Sequence, residues 1–236
     1  MTISENVAAI LAKMDAAAVA CGRDPKEIRL CAATKMNDAD AVRQAIAAGV
    51  DCCGENRVQE LVQKQKENAY HGVPVHFIGH LQTNKVRQVV GKVDLIQSVD
   101  RVHLLEEIQK EAAKQGIRQD ILLEVNIANE ASKSGFQAAQ ILPLLEHISD
   151  FPNIFVRGLM AIPPISKKYG DNHKFFQEML QLSVDIRAKK YDNVWVEYLS
   201  MGMSDDFEEA IACGSTMIRI GTAIFGERAY DRLHQK

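Results

Sequence analysis

Several features that mark common classes of protein are missing from this sequence. It has no run of about 20 apolar residues, so we expect no membrane span, and its first residues are too evenly interrupted by charge to form a signal peptide. Basic residues are not clustered, because 28 lysine and arginine residues are mixed with 31 acidic ones for a net charge of −3. This balance argues against nucleic acid as a partner.

The cysteines also lack a recognisable spacing. There are five of them, without any C-x-x-C pair, and Cys52 and Cys53 are adjacent. That arrangement suits neither a zinc site nor a disulfide framework. We therefore expect no bound metal, and reduced, mostly buried thiols in a cytoplasmic protein.

What the sequence does have is an alternation of strand-length apolar runs with helix-length amphipathic stretches. The eight runs are IRLCAAT, DCCGEN, VHFIGH, DLIQSV, ILLEVNI, VRGLMAI, VWVEYLS and MIRIGTAIF. Strands that alternate with helices indicate a parallel sheet, and eight such units predict an α/β fold, the (β/α)8 TIM barrel, as a single domain over residues 1–236. A doubly wound open sheet is the rival, but its usual G-x-G-x-x-G turn is missing.

Signals for the ends of helices refine this prediction. An extra helix precedes the first strand, with Ser4 as its N-cap and Val7 among the residues of its apolar side. Gly49 and Gly116 are expected to stop two of the barrel helices. The helix after the fifth strand is expected to begin near Leu142, since a proline at 143 fits a first turn.

In a barrel of this type, functional residues collect where the strands end. The strand ends carry Lys35, Asn56, His80, Ser200 and Arg219, among other polar residues.

Because side chains alternate along a strand, Lys35 shares the interior face with Cys31 and Ala33, whereas Leu30 and Ala32 face the helices. Arg219 faces opposite to Ile218 and Ile220 by the same rule. Two cations directed into one barrel mouth indicate an anionic ligand.

The loops after the last two strands are candidates to hold that anion. Gly202 and Gly221 permit close approach of the backbone, and hydroxyl donors come from Ser200, Ser204 and Thr222. Asp205 and Asp206 would repel an anion, so we expect them to point to solvent and to cap the following helix.

Structural roles compete with each of these assignments. Lys35 at a strand end is compatible with a solvated tip, and Arg219 with an ion pair to Glu197 or Glu124. His80 is compatible with a hydrogen bond to a backbone carbonyl, and Asn56 with a helix N-cap. The combination of an inward lysine with a phosphate-type loop outweighs these separate alternatives.

A lysine amine acts as a nucleophile only when deprotonated, and a nearby cation and partial burial both favour that form. An aldehyde that also carries a phosphate fits such a site. Pyridoxal 5′-phosphate (PLP) is one such molecule, and a phosphorylated sugar in an aldolase is another.

Longer stretches point to one family. ATKM, GENRVQE, HFIGHLQTNK, NIANEASKSGF, GLMAIPP, LSMGMSDDFEEAI and IRIGTAIFGER together resemble the pyridoxal phosphate homeostasis protein family. The resemblance implies a fold-type III barrel related to the N-terminal domain of alanine racemase, with PLP held as a Schiff base on Lys35. It further implies a phosphate-binding region at Ser200, Met201, Ser204, Gly221 and Thr222.

The resemblance also places Arg219 against the pyridine nitrogen of PLP and gives Lys133 a secondary part in handling PLP. Asn56 and His80 complete the expected cofactor-binding set. A permanently charged arginine would keep the ring nitrogen unprotonated and would weaken PLP as an electron sink.

Three functions follow as hypotheses. The first is a PLP carrier without catalytic turnover, a monomer that passes PLP to apo-enzymes. The second is an amino-acid racemase, which needs an acid/base on the opposite face of the substrate; alanine racemase supplies it as a tyrosine from a further domain, for which eight βα units leave no room here. The third is a Schiff-base aldolase. We favour the carrier.

Overall fold

The computed structural model describes residues 1–165 and 168–226, which form a closed barrel of parallel strands. Strands that are consecutive in sequence are neighbours in the barrel, and the last strand closes it against the first. The strands are β1 (Arg29–Ala33), β2 (Cys52–Glu55), β3 (Val75–Phe77), β4 (Leu95–Val99), β5 (Gln119–Val125), β6 (Ile154–Ala161), β7 (Val194–Ser200) and β8 (Met217–Ile220). The predicted eight-stranded TIM barrel is confirmed.

Helices connect these strands. Within the described ranges the α-helices are α1 (Ile3–Ala20), α2 (Ala39–Ala47), α3 (Val58–Lys66), α4 (Val102–Gln115), α5 (Ala138–Glu146), α6 (His173–Lys189), α7 (Phe207–Ala212) and α8 (Thr222–Phe225). Short 3₁₀ helices cover Pro25–Glu27, Thr83–Gln88 and Ile148–Asp150. None of the described helices is both long and apolar enough to cross a bilayer.

The facing of the strand residues follows the predicted alternation. Leu30 and Ala32 belong to the large apolar cluster between strands and helices, whereas Cys31 and Ala33 belong to a separate cluster inside the barrel. On β8, Ile218 and Ile220 likewise pack in the outer cluster. The residue between them therefore faces the barrel interior, as predicted for Arg219.

Helix α1 is present as predicted, but it begins differently. Thr2, not Ser4, is the N-cap: Thr2 Oγ1 accepts the Glu5 N–H at 3.2 Å, and the Glu5 carboxylate accepts the Thr2 N–H at 2.8 Å. A reciprocal cap needs Glu or Gln three residues after the N-cap, and Ser4 has Val7 there instead. The buried side of α1 packs against α7 and α8.

Helix α5 contradicts the prediction that it starts near Leu142. It begins at Ala138, where the Gln137 N–H donates to Gln140 Oε1 at 2.9 Å, and Pro143 lies inside it. Pro143 has no N–H to donate to the preceding turn, which weakens a helix interior. Burial of Ile141 and Leu145, one turn apart, offsets this loss.

Glycines lie at the ends of two helices and of the last strand. Gly49 (φ +104°) follows the end of α2, and Gly116 (φ +66°) is the left-handed C-cap of α4, both as predicted. The last apolar run is divided at its glycine, since β8 ends at Ile220 and α8 begins after Gly221.

The cysteines are unpaired and mostly buried, as expected. Cys21 is exposed, and the other four, Cys31, Cys52, Cys53 and Cys213, are buried.

Candidate functional site

The loop that carries Lys35 is fixed by hydrogen bonds on both sides of that residue. Before it, the Thr34 carbonyl accepts from Lys64 Nζ at 2.7 Å. After it, the Met36 N–H donates to Glu60 Oε2 at 2.6 Å. Lys35 itself is partly buried, two residues beyond the end of β1. These hydrogen bonds therefore hold the Lys35 backbone at the C-terminal ends of the strands, where functional residues of this fold collect.

A buried ion pair lies next to this loop. Glu55, the last residue of β2, is fully buried, and its Oε2 is 2.6 Å from Lys64 Nζ on α3. Thr34 Oγ1 and Tyr70 OH donate to the same oxygen at 3.1 and 3.4 Å, and Oε1 accepts the Asn56 N–H at 2.7 Å. Because both charges are paired and hydrogen-bonded, they are tolerated in the interior. The pair joins the end of β2 to the loop after β1.

A cavity of about 270 Å³ opens beside the ends of β2, β3, β5 and β6. Its lining includes Asn56, His80 and Lys133, so three of the predicted residues meet there. Asn126 and Glu124 line it as well. The Asn56 Oδ1 atom is buried without a hydrogen-bond partner among the described residues, so it offers an acceptor to a ligand.

Two residues around this cavity have partners that the sequence did not indicate. His80 is exposed, and its Nδ1 lies 3.3 Å from Asp100 Oδ2. Lys133 Nζ lies 2.8 Å from Glu130 Oε1 and donates to the Pro163 carbonyl at 3.2 Å. Lys133 therefore connects the loop after β5 to the loop after β6, with its charge matched by a carboxylate.

The guanidinium of Arg219 is buried inside the barrel mouth. Its Nη1 donates to Ser200 Oγ at 2.6 Å, and its Nη2 donates to the Ala161 carbonyl at 2.9 Å. Burial lowers the pKa of Arg219, although an arginine stays charged at physiological pH. On the neighbouring strand, Cys31 is in register with Arg219, so this cation lies on the strand next to the one that leads to Lys35.

Neither of the two carboxylates expected as alternative partners of Arg219 forms an ion pair with it among the described contacts. Glu197 pairs with Arg157. Glu124 forms no ion pair with Arg219 among the described contacts, and burial raises the pKa of Glu124 to about 7. The negative charge of Asp100 adds to this rise, and Arg219 opposes it. The mouth therefore contains a permanent cation, Arg219, and a carboxyl group, Glu124, whose pKa lies near neutral.

The ends of β7 and β8 provide the glycines expected around an anion. Gly202 (φ +96°) packs so closely that a Cβ would lie 2.6 Å from the Cβ of Ala210, so only glycine fits. A Cβ on Gly221 would lie 3.4 Å from the Cβ of Ala33, which places this loop beside the end of β1. Ser204 is partly buried and Thr222 is exposed, on these two loops.

Two predicted residues have other contacts in the same region. The hydroxyl of Ser200 donates its only proton to Gln97 Oε1 at 2.7 Å. The side chain of Met201 is fully buried in the outer apolar cluster, and its N–H donates to the Met217 carbonyl at 3.1 Å. Ser200 therefore links interior side chains, and Met201 packs against the helix layer.

The expectation that Asp206 points to solvent is wrong. Asp206 is buried, and its carboxylate accepts the Met203 N–H at 2.7 Å and the Asn172 side-chain amide at 2.8 Å. It precedes α7 but makes no side-chain cap bond to it. Asp205 is exposed, as expected. The carboxylate turns inward because unpaired backbone and amide donors there need an acceptor.

The predicted residues thus occupy two sides of Lys35. Around the barrel, β7 and β8 carry the candidate phosphate region and Arg219, β1 leads to Lys35, and β2, β3 and β5 carry the residues of the cavity. The loop of Lys35 therefore lies between the glycine loops after β7 and β8, where we expect an anion, and the polar cavity.

Comparison with known proteins shows the family of this chain. The sequence matches the family described as "Alanine racemase, N-terminal domain" over residues 6–229. The pyridoxal phosphate homeostasis protein of Aquifex aeolicus is 40% identical over 230 residues, which cover 98% of this chain and 100% of that protein. This chain belongs to the pyridoxal phosphate homeostasis protein family. The family resemblance read from the motifs is confirmed.

Solved structures related to this pyridoxal phosphate homeostasis family member share its fold over nearly the whole chain. A protein of unknown function from Bifidobacterium adolescentis is 36% identical, with a TM-score of 0.89 and 94% of each chain covered. PipY of Synechococcus elongatus, solved with PLP bound, is 31% identical, with a TM-score of 0.82, 95% of this chain and 100% of that chain covered.

Sequence reasoning on this family member missed several residues of the site. Gln97 is a polar residue within an apolar strand run, and such a residue in a doubly covered strand is a signal for an interior role. Glu124 was expected only as an alternative ion-pair partner of Arg219, not as a residue that lines the cavity. Glu55 ends a strand run, and its position there gives no sign that it is one half of an ion pair. Lys64 lies on an amphipathic helix, where nothing in the sequence distinguishes it from a surface lysine.

Proposed function

We propose that this chain binds PLP covalently at Lys35 and acts as a PLP carrier in intracellular PLP homeostasis, without catalytic turnover. The names of its relatives and the PLP in the PipY structure support the choice of cofactor. The observation in this structure that carries the proposal is a partly buried lysine two residues beyond the end of β1, the strand that pairs with β8, where the guanidinium of Arg219 is buried.

The residues present fit such a group. PLP carries an aldehyde, a phosphate and a ring with polar substituents. Lys35 offers an amine, Gly202 and Gly221 allow backbone N–H groups to approach a phosphate, and Asn56 offers an unpartnered acceptor. Ser204 and Thr222 are the hydroxyl residues whose side chains stand on the two glycine loops.

Arg219 is the residue that argues against turnover. PLP supplies an electrophilic aldehyde and an electron-withdrawing ring, and the ring withdraws electrons best when its nitrogen is protonated. Arg219 is a permanent cation held by Ser200 and Ala161, so it donates hydrogen bonds and cannot accept a proton. Placed against the ring nitrogen, it would keep that nitrogen unprotonated and would make bound PLP a weak electron sink.

Racemisation is the alternative within the same fold family. It needs a second acid/base facing the ligand, the role that a tyrosine has in alanine racemase. None of the four tyrosines in the described part of the chain lines the cavity at the mouth, and Tyr70 donates to Glu55 instead. Tyr230 lies outside the described residues. The carrier function is therefore favoured.

We further propose that residues 1–236 form one domain that works as a cytoplasmic monomer and delivers PLP to apo-enzymes. Unpaired cysteines on adjacent strands, Cys31 and Cys52, support a reducing compartment. Exposed large apolar side chains such as Val102 and Trp195 lie on different elements, which supports a monomer. Sedimentation at several protein concentrations tests the monomer.

The deciding experiment compares Lys35→Ala with wild type and with Lys110→Ala, a control on an exposed lysine of α4. Each protein is mixed with PLP, reduced with borohydride, digested and mapped by mass spectrometry. On protein freed of unbound PLP, we expect a visible absorption band before reduction and a PLP-modified peptide containing residue 35 after it, in wild type and the control and not in Lys35→Ala. Modification at another lysine, or a colourless wild type, would overturn the assignment.

A further inference from the structure

The barrel interior holds a group of sulfur and nitrogen atoms from neighbouring strands. Cys31 lies in the middle of β1, Cys52 begins β2, and His76 lies in the middle of β3, and all three are buried. One ligand atom from each lies within 4.8 Å of the other two. Interiors of such barrels are filled mainly by Val, Ile and Leu. Packing alone therefore gives no reason for this group.

A fourth potential metal ligand, the thioether sulfur of Met217, lies in the same cluster. Gln97 Nε2 lies 2.9 Å from His76 Nδ1 and 3.1 Å from the thioether sulfur of Met217. Met217 also packs in the same interior cluster as Cys31 and Cys52. Four strands, β1, β2, β3 and β8, thus each contribute one potential metal ligand.

Gly54 on β2 leaves room for the sulfur of Cys31. A Cβ on Gly54 would lie 2.8 Å from the sulfur of Cys31. Because residue 54 has no side chain, the Cys31 sulfur extends over β2 toward the Cys52 and His76 side chains.

We propose that Cys31, Cys52 and His76 form a binding site for a thiophilic metal ion of the Zn²⁺ and Cu⁺ class, with the Met217 sulfur as the fourth ligand. Zinc binds sulfur at about 2.3 Å and imidazole nitrogen at about 2.0 Å, so tetrahedral ligands lie about 3.5–3.8 Å apart. The sulfur of Cys52 already lies 3.5 Å from His76 Nδ1. Thiolate, thioether and imidazole are the ligands that select such ions.

The charges balance without a further group. Binding of Zn²⁺ to two thiols and one neutral imidazole releases two protons and leaves a neutral site. The metal replaces the hydrogen bond from Gln97 to His76 Nδ1. Linear spacing gave no sign of this site, because its ligands come from separate strands that meet only when the barrel closes.

The test uses the full chain carrying Cys21→Ser, which removes the exposed thiol. It is titrated with Cd²⁺, followed by thiolate-to-metal absorption, and with Zn²⁺ in competition with a chromophoric chelator. We expect one ion per chain, and a loss of affinity of at least about 100-fold in Cys31→Ala and Cys52→Ala. Cys53→Ala is the matched control, since this buried neighbour packs in the outer cluster and should bind like the parent.

X-ray absorption on the zinc-loaded parent protein decides the case if an alanine variant does not fold. We expect two or three sulfur atoms at about 2.3 Å and one nitrogen at about 2.0 Å. A shell of nitrogen and oxygen only would overturn the proposal. So would Cd²⁺ binding that survives Cys31→Ala unchanged or that Cys53→Ala removes equally.

Discussion

Individual side chains in the barrel mouth differ in how they tolerate burial. Arg219 keeps its charge and satisfies it with a hydroxyl and a carbonyl. Glu124 is a buried carboxyl whose pKa is raised to about 7, chiefly by burial. The first residue can act as a fixed cation, whereas the second changes its charge in the range where proteins work.

Glu124 should therefore make stability depend on pH. Its pKa is raised from 4.5 in the unfolded chain to about 7, so its stabilising contribution is complete below about pH 4.5 and is lost as pH rises to about 7. Between these values, we expect wild type to lose about 3 kcal/mol of unfolding free energy relative to Glu124→Gln.

Urea unfolding of the ligand-free proteins from pH 4.5 to 8 measures this difference. Glu208→Gln, at an exposed position on α7, is the control and should follow wild type. If the wild-type and Glu124→Gln curves run parallel across this range, the carboxyl does not titrate as described.

At the scale of elements, the ion pair between Glu55 on β2 and Lys64 on α3 joins a strand, a helix and the loop that carries Lys35. The sequence predicts both elements, from the apolar run DCCGEN and from the alternation of strands with helices. It does not show the pair, since whether two side chains meet depends on how α3 packs against the barrel. The loop after β1 is held by this packing in addition to the hydrogen bonds that Asn37 donates to the Thr34 and Lys35 carbonyls.

Removing one charge of this pair should be costly. Lys64→Met leaves the Glu55 carboxylate buried and unpaired, and we expect a loss of about 3–5 kcal/mol in unfolding free energy. The double variant Glu55→Gln/Lys64→Met should recover part of it, because no charge remains buried. Urea unfolding measures both, with Lys66→Met on the exposed side of α3 as control. Additive effects in the double variant would mean the two residues are not coupled.

At the scale of the whole molecule, the mouth is assembled from loops that follow most of the strands. Lys133 connects two of these loops, through Glu130 in its own loop and the Pro163 carbonyl in the next. It lines the same cavity as Asn56 and His80. A ligand that leaves through this side of the mouth passes residues that Lys133 holds together.

Lys133→Ala should therefore change the delivery of PLP and not its attachment. On the proposed function, we expect the yield of PLP bound at residue 35 to be unchanged and its transfer to an apo-enzyme to be slower. The rate of recovery of apo-enzyme activity, at matched loading and ionic strength, measures transfer, with Lys110→Ala as control. Equal rates for all three proteins would remove Lys133 from the delivery step.

The sequence by itself determined the barrel, the facing of its strand residues and the position of Lys35, because these follow from local periodicity and strand alternation. Local rules failed where two of them competed, as at Pro143, where burial of Ile141 and Leu145 kept a proline inside α5. The inward turn of Asp206 likewise depends on a donor from a distant segment, the side-chain amide of Asn172.

Only the tertiary structure decided which polar side chains meet. The pairing of Glu55 with Lys64, the link from Arg219 through Ser200 to Gln97, and the cluster of Cys31, Cys52 and His76 all join separate strands or helices. Such contacts depend on barrel closure and on strand register, which bring together residues far apart in the chain. Linear spacing does not contain that information, whereas the alternation of apolar and polar residues does contain the fold.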